Sequence, residues 1–153
     1  MGAEAVTISI ANFKGGVGKT TTAMTLAQGL TLLGHRVLVI DTDPQGSLST
    51  LFGILPDTEV AEEDTILHLA LGIETSIRSA IRSTYWSGID LVAAAPCLFG
   101  AEFALPARQT QEPDFQFWNV LNLGIDDVRG EYDVIILDSP PSLSYITINA
   151  LMA

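Results

Sequence analysis

The chain has 153 residues, 48% of them hydrophobic and 16% charged, a composition that can bury the core of one domain and is unlike that of a disordered chain. Its net charge of −11, from 18 acidic and 7 basic residues, argues against a broad basic face for nucleic acid. The single cysteine, Cys97, excludes an internal disulfide and favours a reducing compartment.

The start of the chain carries Glu4 and no basic segment, so it lacks the pattern of a signal peptide. The least charged stretch, residues 91–107, is short for a bilayer span and is interrupted by Pro96, Glu102 and Pro106. We therefore expect a cytoplasmic protein that has no membrane partner and forms a single domain over residues 1–153.

Short apolar runs alternate with longer segments of helical spacing, which is typical of an α/β fold with a mostly parallel sheet flanked by helices. Four runs predict strands, at residues 5–12, 36–41, 88–95 and 132–138. The second and fourth are continuously apolar, as expected of strands that are covered on both faces. The clearest helix covers residues 20–34, where Gly34 is a natural C-terminal cap.

Weaker helical patterns and two polar loops fill the rest of the chain. The predicted helices cover residues 47–54, 65–72, 74–86, 100–109 (broken by Pro106) and 115–128. Residues 56–65 predict an acidic, mobile surface loop, and residues 108–116 a second loop. Residues 142–153 begin a helix that has no C-terminal cap, so we expect a longer protein that is truncated here, after the fourth strand and its helix; a compact natural variant is the alternative.

The segment ANFKGGVGKTTTA, residues 11–23, contains the only two lysines of the chain. It lies between a predicted strand and a predicted helix, where the backbone N–H groups of a glycine-rich turn bind anionic oxygens. Lys19 is placed to reach the β- and γ-phosphates of a nucleotide, and the Thr20 hydroxyl to bind Mg²⁺. The predicted nucleotide-binding residues are Lys14, Gly15, Gly16, Val17, Gly18, Lys19, Thr20 and Thr21.

This segment departs from the ordinary P-loop pattern, because Phe13 stands where the first glycine is expected. The form K-G-G-x-G-K-T is instead a known variant of the Walker A loop. A dinucleotide-binding turn is a weaker alternative, since Thr21 occupies the position of its third small residue and such a loop has no use for Lys19. A plain glycine turn with two chance lysines is weaker still.

Aspartates follow the second and fourth predicted strands, at the edge where parallel sheets bind ligands. Asp41 is predicted to lie near a metal, while Asp43, beyond the break in the strand, turns toward the phosphates. Asp138 follows four apolar residues, the usual form of a Walker B strand, and is predicted to hold Mg²⁺ through water opposite Thr20. A simple turn at Asp43, or a capping role for Asp138 on a helix from Ser142, remains open.

Three segments resemble the ParA/MinD family of P-loop ATPases: KGGVGKTT at residues 14–21, VLVIDTDPQGS at residues 37–47 and YDVIILDSPPSLSYITINAL at residues 132–151. PCLFGAEFALPARQ, at residues 96–109, is similar to partition ATPases in particular. The resemblance implies a P-loop NTPase-like fold, an ATP-dependent sandwich homodimer and a partner protein that stimulates hydrolysis. It implies that Lys14 reaches the partner's nucleotide and that Asp43 orients the attacking water.

The residues predict a Mg²⁺-dependent nucleotide-binding site, and the resemblance implies a weak ATPase that acts as a nucleotide switch in plasmid or chromosome partitioning. The predicted catalytic residues are Lys14, Lys19 and Asp43, and the predicted metal site comprises Thr20, Asp41 and Asp138. The family also implies non-specific DNA binding and association with the nucleoid, which the acidic composition does not support. The alternatives are a truncated nucleotide-binding or interaction domain without turnover, and a MinD-like switch at a membrane surface.

Overall fold

A computed structural model describes residues 2–16 and 18–153, and a five-stranded sheet forms its centre. The strands are β1 (Val6–Ile10), β2 (Val37–Asp41), β3 (Arg82–Ser83), β4 (Ile89–Val92) and β5 (Val134–Asp138). Their order across the sheet is β1-β5-β2-β4-β3, and all neighbours are parallel except the β3–β4 pair. The mostly parallel α/β architecture predicted from the sequence is confirmed.

Helices cover both faces of the sheet. The α-helices are α1 (Lys19–Leu32), α2 (Ser47–Leu51), α3 (Pro56–Glu59), α4 (Leu67–Leu71), α5 (Ala101–Gln111), α6 (Val120–Ile125) and α7 (Tyr145–Met152). Shorter 3₁₀ turns cover Glu62–Asp64, Arg78–Ala80, Pro96–Gly100, Phe117–Asn119 and Asp126–Glu131. None of the helices in residues 2–16 and 18–153 has the length and apolarity to cross a bilayer.

The alternation of side chains along the central strands divides the core into two layers. In β2, Val37 and Val39 join the cluster beneath α1 and α2, while Leu38 and Ile40 join the opposite cluster beneath α4 to α7. β5 alternates in the same way. Successive strand residues point to opposite faces, so a strand covered on both sides must be apolar throughout. This is why the apolar runs identified these two strands.

The structure differs from two of the weaker predictions. Residues 74–86 do not form a helix: a 3₁₀ turn is followed by the short strand β3, which the sequence analysis missed. Ile77 and Ala80 are buried three residues apart, a spacing that one 3₁₀ turn satisfies as well as a longer helix does. Residues 56–65, predicted as a surface loop, do lie mainly at the surface but contain the single-turn helix α3 and a 3₁₀ turn.

Proline does not break α5, and α7 begins later than predicted. Pro106 lies inside α5, which continues to Gln111, so the missing N–H removes one hydrogen bond without ending the helix. The cap of α7 is Ser144, whose Oγ accepts a bond from the backbone N–H of Thr147, and not Asp138. The predicted C-terminal cap of α1 is confirmed, since Gly34 has a φ of 91° just past the helix.

Asp41 connects the carboxyl end of β2 to α2. The carboxylate is fully buried, and its Oδ2 accepts bonds from the backbone N–H (2.9 Å) and the hydroxyl (2.7 Å) of Ser49. Its Oδ1 accepts a bond from the N–H of Asp43 at 3.2 Å. Burial raises the pKa of Asp41 to about 7 because it disfavours the charged form, although the bonds from Ser49 lower it.

Stability is therefore expected to depend on pH through Asp41. The folded chain retains a proton that an unfolded aspartate releases near pH 4, so the free energy of unfolding should fall as the pH rises from about 4 to about 7. In Asp41→Asn this fall should be smaller by about 1–3 kcal/mol, measured by urea denaturation across that pH range. Asp57→Asn, at an exposed carboxyl, is the control. An unchanged pH dependence in Asp41→Asn would contradict the prediction.

Candidate nucleotide-binding site

Three chain segments that carry the predicted site residues leave the sheet side by side. β5 lies between β1 and β2, and Asp138 pairs in register with Ile10 on one side and Asp41 on the other. Because the three strands are parallel and end at the same level, the segments that follow them meet at one edge of the sheet. The glycine-rich loop, the turn after Asp41 and the segment after Asp138 are thus brought together.

The glycine-rich loop adopts a conformation that depends on its glycines. Gly16 and Gly18 have φ values of 72° and 84°, in the left-handed region that other residues rarely adopt. A Cβ atom at either position would meet nothing within 4 Å, so the requirement is one of backbone conformation and leaves open space around the loop. Val17 lies outside the described residues. Gly18 leads directly into α1, so the first helical N–H groups face the same side as the loop.

A cavity of about 470 Å³ lies against this loop. Gly16, Gly18, Lys19, Thr20 and Thr21, five of the residues predicted to bind nucleotide, line one side of it. The other side is formed by α2, through Ser47 and Leu51. Sequence reasoning missed these two residues; the turn-forming Pro44 and Gly46 were the available signal that the chain folds back here.

The two lysines occupy different positions. Lys19 lines the cavity, whereas Lys14 is exposed and does not contribute to its lining. The backbone N–H of Lys14 donates a bond to Oδ1 of Asn12 at 2.8 Å, which fixes the turn that carries the side chain. Of the predicted binding residues, Lys14 and Gly15 do not line the cavity, and Val17 lies outside the described residues.

The lysines also differ from the arginines in their ionic partners. Each of the five arginines lies within 4.0 Å of a carboxylate: Arg36 with Asp133, Arg78 with Asp127 and Glu131, Arg82 with Asp64, Arg108 with Glu112, and Arg129 with Asp126. Within residues 2–16 and 18–153, neither lysine forms such a pair. In the described part of the chain, the Lys and Arg side chains that have no carboxylate within 4.0 Å therefore both belong to the glycine-rich loop.

Asp138 is the most unusual carboxylate of the site. It is 1% exposed, and its Oδ2 accepts a bond of 2.8 Å from the hydroxyl of Thr20. Its Oδ1 is buried and accepts no hydrogen bond from the described residues. Burial raises the pKa of Asp138, an effect that the Thr20 bond and the charge of Lys19 reduce and that the charge of Asp43 increases. A buried carboxylate oxygen without a donor is costly, and a cation is one of the groups that satisfies it.

The backbone on both sides of Asp138 is held in place. Thr42 donates to the carbonyl oxygen of Asp138 from its N–H (2.9 Å) and its hydroxyl (2.7 Å). Ser139 donates from its N–H (3.2 Å) and its hydroxyl (2.9 Å) to the carbonyl oxygen of Ile10. These bonds tie β5 to both neighbouring strands just where the carboxylate leaves the sheet, so its direction is fixed before any ligand binds.

Asp43 lies on the turn after β2 and is 9% exposed. Its Oδ1 accepts the N–H of Gln45 at 3.0 Å, and its carbonyl oxygen accepts the N–H of Gly46 at 2.9 Å, so the turn is locked from within. An added Cβ at Gly46 would lie 2.5 Å from Cγ of Pro56, so only glycine fits there. Asp43 lines a second cavity, of about 300 Å³, whose other walls include Pro140, Pro141, Ser142 and Glu102.

The residues present fit a nucleotide with a magnesium ion. Within residues 2–16 and 18–153, no group of three or more His, Cys, Asp or Glu side chains is arranged to hold a metal. Magnesium does not need such a group, because it retains waters and is commonly held by one or two protein oxygens together with substrate phosphates. The Thr20 hydroxyl and the unpaired oxygen of Asp138 supply those oxygens, beside a loop whose N–H groups suit phosphate.

The chain was compared with known proteins. A family model described as an AAA domain matches residues 5–153. A Rhizobium rhizogenes protein named as a replication protein A is 41% identical over 99% of this chain and 39% of its own length. The chromosome partitioning protein ParA of Caulobacter vibrioides is 37% identical over 95% of this chain and 52% of its own length.

Among solved structures, cobyrinic acid a,c-diamide synthase from Mycobacterium smegmatis, with a bound ATP analog and magnesium, matches with a TM-score of 0.83 and 35% identity. The match covers 96% of this chain and 54% of that one. This chain thus spans about half the length, or less, of the proteins that it matches. It belongs to the AAA domain family that the model describes and, within it, to the ParA/MinD family of P-loop ATPases with the variant Walker A loop.

Proposed function

We propose that this chain binds Mg-ATP and hydrolyses it slowly, and that the nucleotide controls dimerisation in plasmid or chromosome partitioning. The observation that carries the proposal is the contact between the Thr20 hydroxyl and Asp138, whose second carboxylate oxygen is buried without a donor. This pair lies beside the glycine-rich loop and next to Lys19. The names of relatives, which include chromosome partitioning proteins, support the biological setting.

The residues of the loop and of α1 bind the phosphates. The N–H groups of Gly15 to Gly18 and of the first turn of α1 donate to phosphate oxygens, and the ammonium group of Lys19 neutralises the β- and γ-phosphates. The Thr20 hydroxyl and the unpaired carboxylate oxygen of Asp138 are the groups that would hold Mg²⁺ beside the phosphates. Mg²⁺, when bound, supplies positive charge to the oxygens of the transferring phosphoryl group.

Asp41 and Asp43 have separate roles in this proposal. Both oxygens of Asp41 accept bonds from Ser49 and Asp43, so Asp41 acts mainly by holding the turn, and its predicted direct contact with the metal becomes the weaker assignment. Asp43 orients the attacking water, since its turn is locked and it lies next to the segment that follows Asp138. Positioning of this kind supplies most of the catalysis in phosphoryl transfer.

Lys14 acts on the nucleotide of a second copy. Its side chain is exposed and lies outside the cavity lined by Lys19, so an interaction in trans agrees with its position. In a two-fold dimer each copy then contributes one lysine to its own site and one to the other. The same proposal includes a partner protein that stimulates hydrolysis. It also includes binding to non-specific DNA and a cytoplasmic or nucleoid location.

Lys19→Ala and Asp43→Ala are expected to separate binding from turnover. Lys19→Ala removes a charge-assisted bond to phosphate and should weaken Mg-ATP binding by about 10- to 100-fold. Asp43→Ala should bind Mg-ATP within about threefold of wild type but lose turnover, because it removes only the orientation of water. Calorimetric titration and phosphate release measure the two effects.

The outcomes distinguish the proposed switch from its alternative. A folded wild-type chain that binds no Mg-ATP would remove the assignment altogether. Binding without turnover in the wild type would favour a nucleotide-binding or interaction domain, the second reading of the sequence. Equal turnover in wild type and Asp43→Ala would exclude the role of Asp43 while leaving the nucleotide site in place.

Mixing two inactive variants tests whether Lys14 acts in trans. Homodimers of Lys14→Ala and of Asp43→Ala should each be inactive. A mixed dimer, however, contains one complete site, in which the Asp43 of one copy meets the Lys14 of the other. An equal mixture should therefore recover about a quarter of wild-type turnover, because half of the dimers are mixed and each has one active site.

The matched control replaces Asp43→Ala with the double variant Lys14→Ala/Asp43→Ala, which has no Lys14 side chain to contribute to the site of the other copy. An equal mixture of Lys14→Ala and this double variant should recover no turnover. If Lys14 instead serves its own nucleotide, the first mixture also stays inactive, and the trans assignment fails.

A further inference from the structure

A glutamate from another helix holds the N-terminus of α7. Glu102 lies in the first turn of α5, and its Oε2 accepts the N–H of Tyr145 at 3.0 Å while its Oε1 accepts the N–H of Ile146 at 3.1 Å. The next N–H, of Thr147, donates to Oγ of Ser144 at 3.1 Å. The first donors of α7 are thus all paired, two of them by a carboxylate whose charge suits a helix N-terminus.

The two bonds from the N–H groups of Tyr145 and Ile146 to Glu102, here called the clamp, fix the far end of the short connection between β5 and α7. β5 ends at Asp138 and α7 begins at Tyr145, so only residues 139–144, the post-β5 segment, lie between them. Pro140 and Pro141 stiffen the segment because each has a fixed φ. Its near end is bonded to Ile10 through Ser139, and the hydroxyl of Thr147 donates to the carbonyl oxygen of Ser142 at 2.7 Å. The position of the segment therefore depends on where Glu102 holds α7.

The post-β5 segment contacts both parts of the candidate site. Its residues Pro140, Pro141 and Ser142 line the 300 Å³ cavity together with Asp43. An ideal Cβ on Gly15 would lie 4.0 Å from Cβ of Pro141, so the segment also packs against the glycine-rich loop. Glu102 lines the same cavity, on the side of α5. A change at Glu102 is thus transmitted to the loop and to Asp43 through one stiff connection.

An ion pair within the described residues does not explain why a carboxylate stands at position 102. Within residues 2–16 and 18–153 Glu102 forms no ion pair, and its two oxygens are used only by the backbone of α7. The packing of α5 on α7 does not need the charge, because Leu105, Ile146 and Ala150 are already buried in the shared core. The carboxylate therefore serves to set the exact start of α7 and of the segment before it.

We propose that Glu102 is a positioning residue for hydrolysis: it holds the post-β5 segment against Asp43 and the glycine-rich loop in the geometry that turnover requires. This inference rests on the proposed ATPase function. A displacement of about 1 Å in a reacting geometry can cost about 100-fold in rate, so the loss of two bonds at the end of a stiff segment is expected to lower turnover more than binding.

The test compares Glu102→Ala and Glu102→Gln with Asn149→Ala. Glu102→Ala removes both bonds, while Glu102→Gln keeps one acceptor and directs an amide N–H₂ at the other donor. Asn149 anchors the middle of α7, with Nδ2 bonded to the carbonyl oxygen of Phe117 at 2.6 Å and Oδ1 to the N–H of Leu121 at 3.1 Å. Its Nδ2 also donates to the carbonyl oxygen of Tyr145 at 3.1 Å. Asn149→Ala therefore loosens α7 but leaves both acceptor oxygens of Glu102 in place, and is the matched control.

Three quantities are measured on each 153-residue variant: the Kd for Mg-ATP, kcat for phosphate release, and amide hydrogen exchange of residues 139–146. In Glu102→Ala, kcat should fall by about 10- to 100-fold while Kd changes by less than about threefold, and exchange at residues 144–146 should accelerate. Glu102→Gln should recover part of kcat. Asn149→Ala should lower thermal stability but keep kcat per folded molecule.

The possible results separate this inference from the proposed function. Unchanged kcat in both Glu102 variants beside an active wild type overturns the positioning role and leaves the ATPase intact. An equal loss of kcat in Asn149→Ala also overturns it, since general loosening of α7 would then explain the effect. A wild-type chain without turnover overturns the hydrolytic function and the positioning role together. If Glu102→Ala fails to fold, Glu102→Gln decides by the same criteria.

Discussion

The hydrogen bond between Thr20 and Asp138 joins the start of α1 to the end of β5, across 118 residues of chain. It can form because β1 and β5 are parallel neighbours in register at Ile10 and Asp138, so the loop that follows β1 returns directly over the carboxylate. The bond satisfies one oxygen of a group that is otherwise buried without a donor. A fold that retains such a group sacrifices some stability, which is typical of functional sites.

Negative charge accumulates at the same edge of the sheet. Asp41 and Asp138 pair in register at the ends of β2 and β5. Burial is the larger cause of the raised pKa of both; the charge of Asp138 adds to the rise in the pKa of Asp41, and the charge of Asp43 adds to that of Asp138. Lys19 is the cation that offsets this at Asp138. A divalent ion between the carboxylates and a polyphosphate would relieve the repulsion, so this arrangement of charges favours the binding of metal and nucleotide together.

The sequence predicted those features that depend on neighbouring residues. Residues 36–41 and 132–138 were recognisable as strands because burial on both faces requires an unbroken apolar run, and the glycine-rich loop because its chemistry is local. β3 was missed since two residues, Arg82 and Ser83, carry no periodicity, and only pairing with β4 makes them a strand. The contact of Glu102 with α7 joins residues 43 and 44 positions apart, and no local pattern indicates it.

The distribution of positive charge links the site to the rest of the surface. The five arginines all lie beside carboxylates, which reduces the charge available to an external anion. The pairs of Arg36 and Arg78 are exposed and contribute little stability. Lys14 and Lys19 have no such partner within the described residues, and both lie next to backbone donors of one loop. In a chain with a net charge of −11, two copies repel each other at long range. In the proposed dimer, the exposed ammonium of Lys14 is therefore the group that makes association depend on an anion bound to the opposite copy, and the cavity beside Lys19 is the proposed site of that anion.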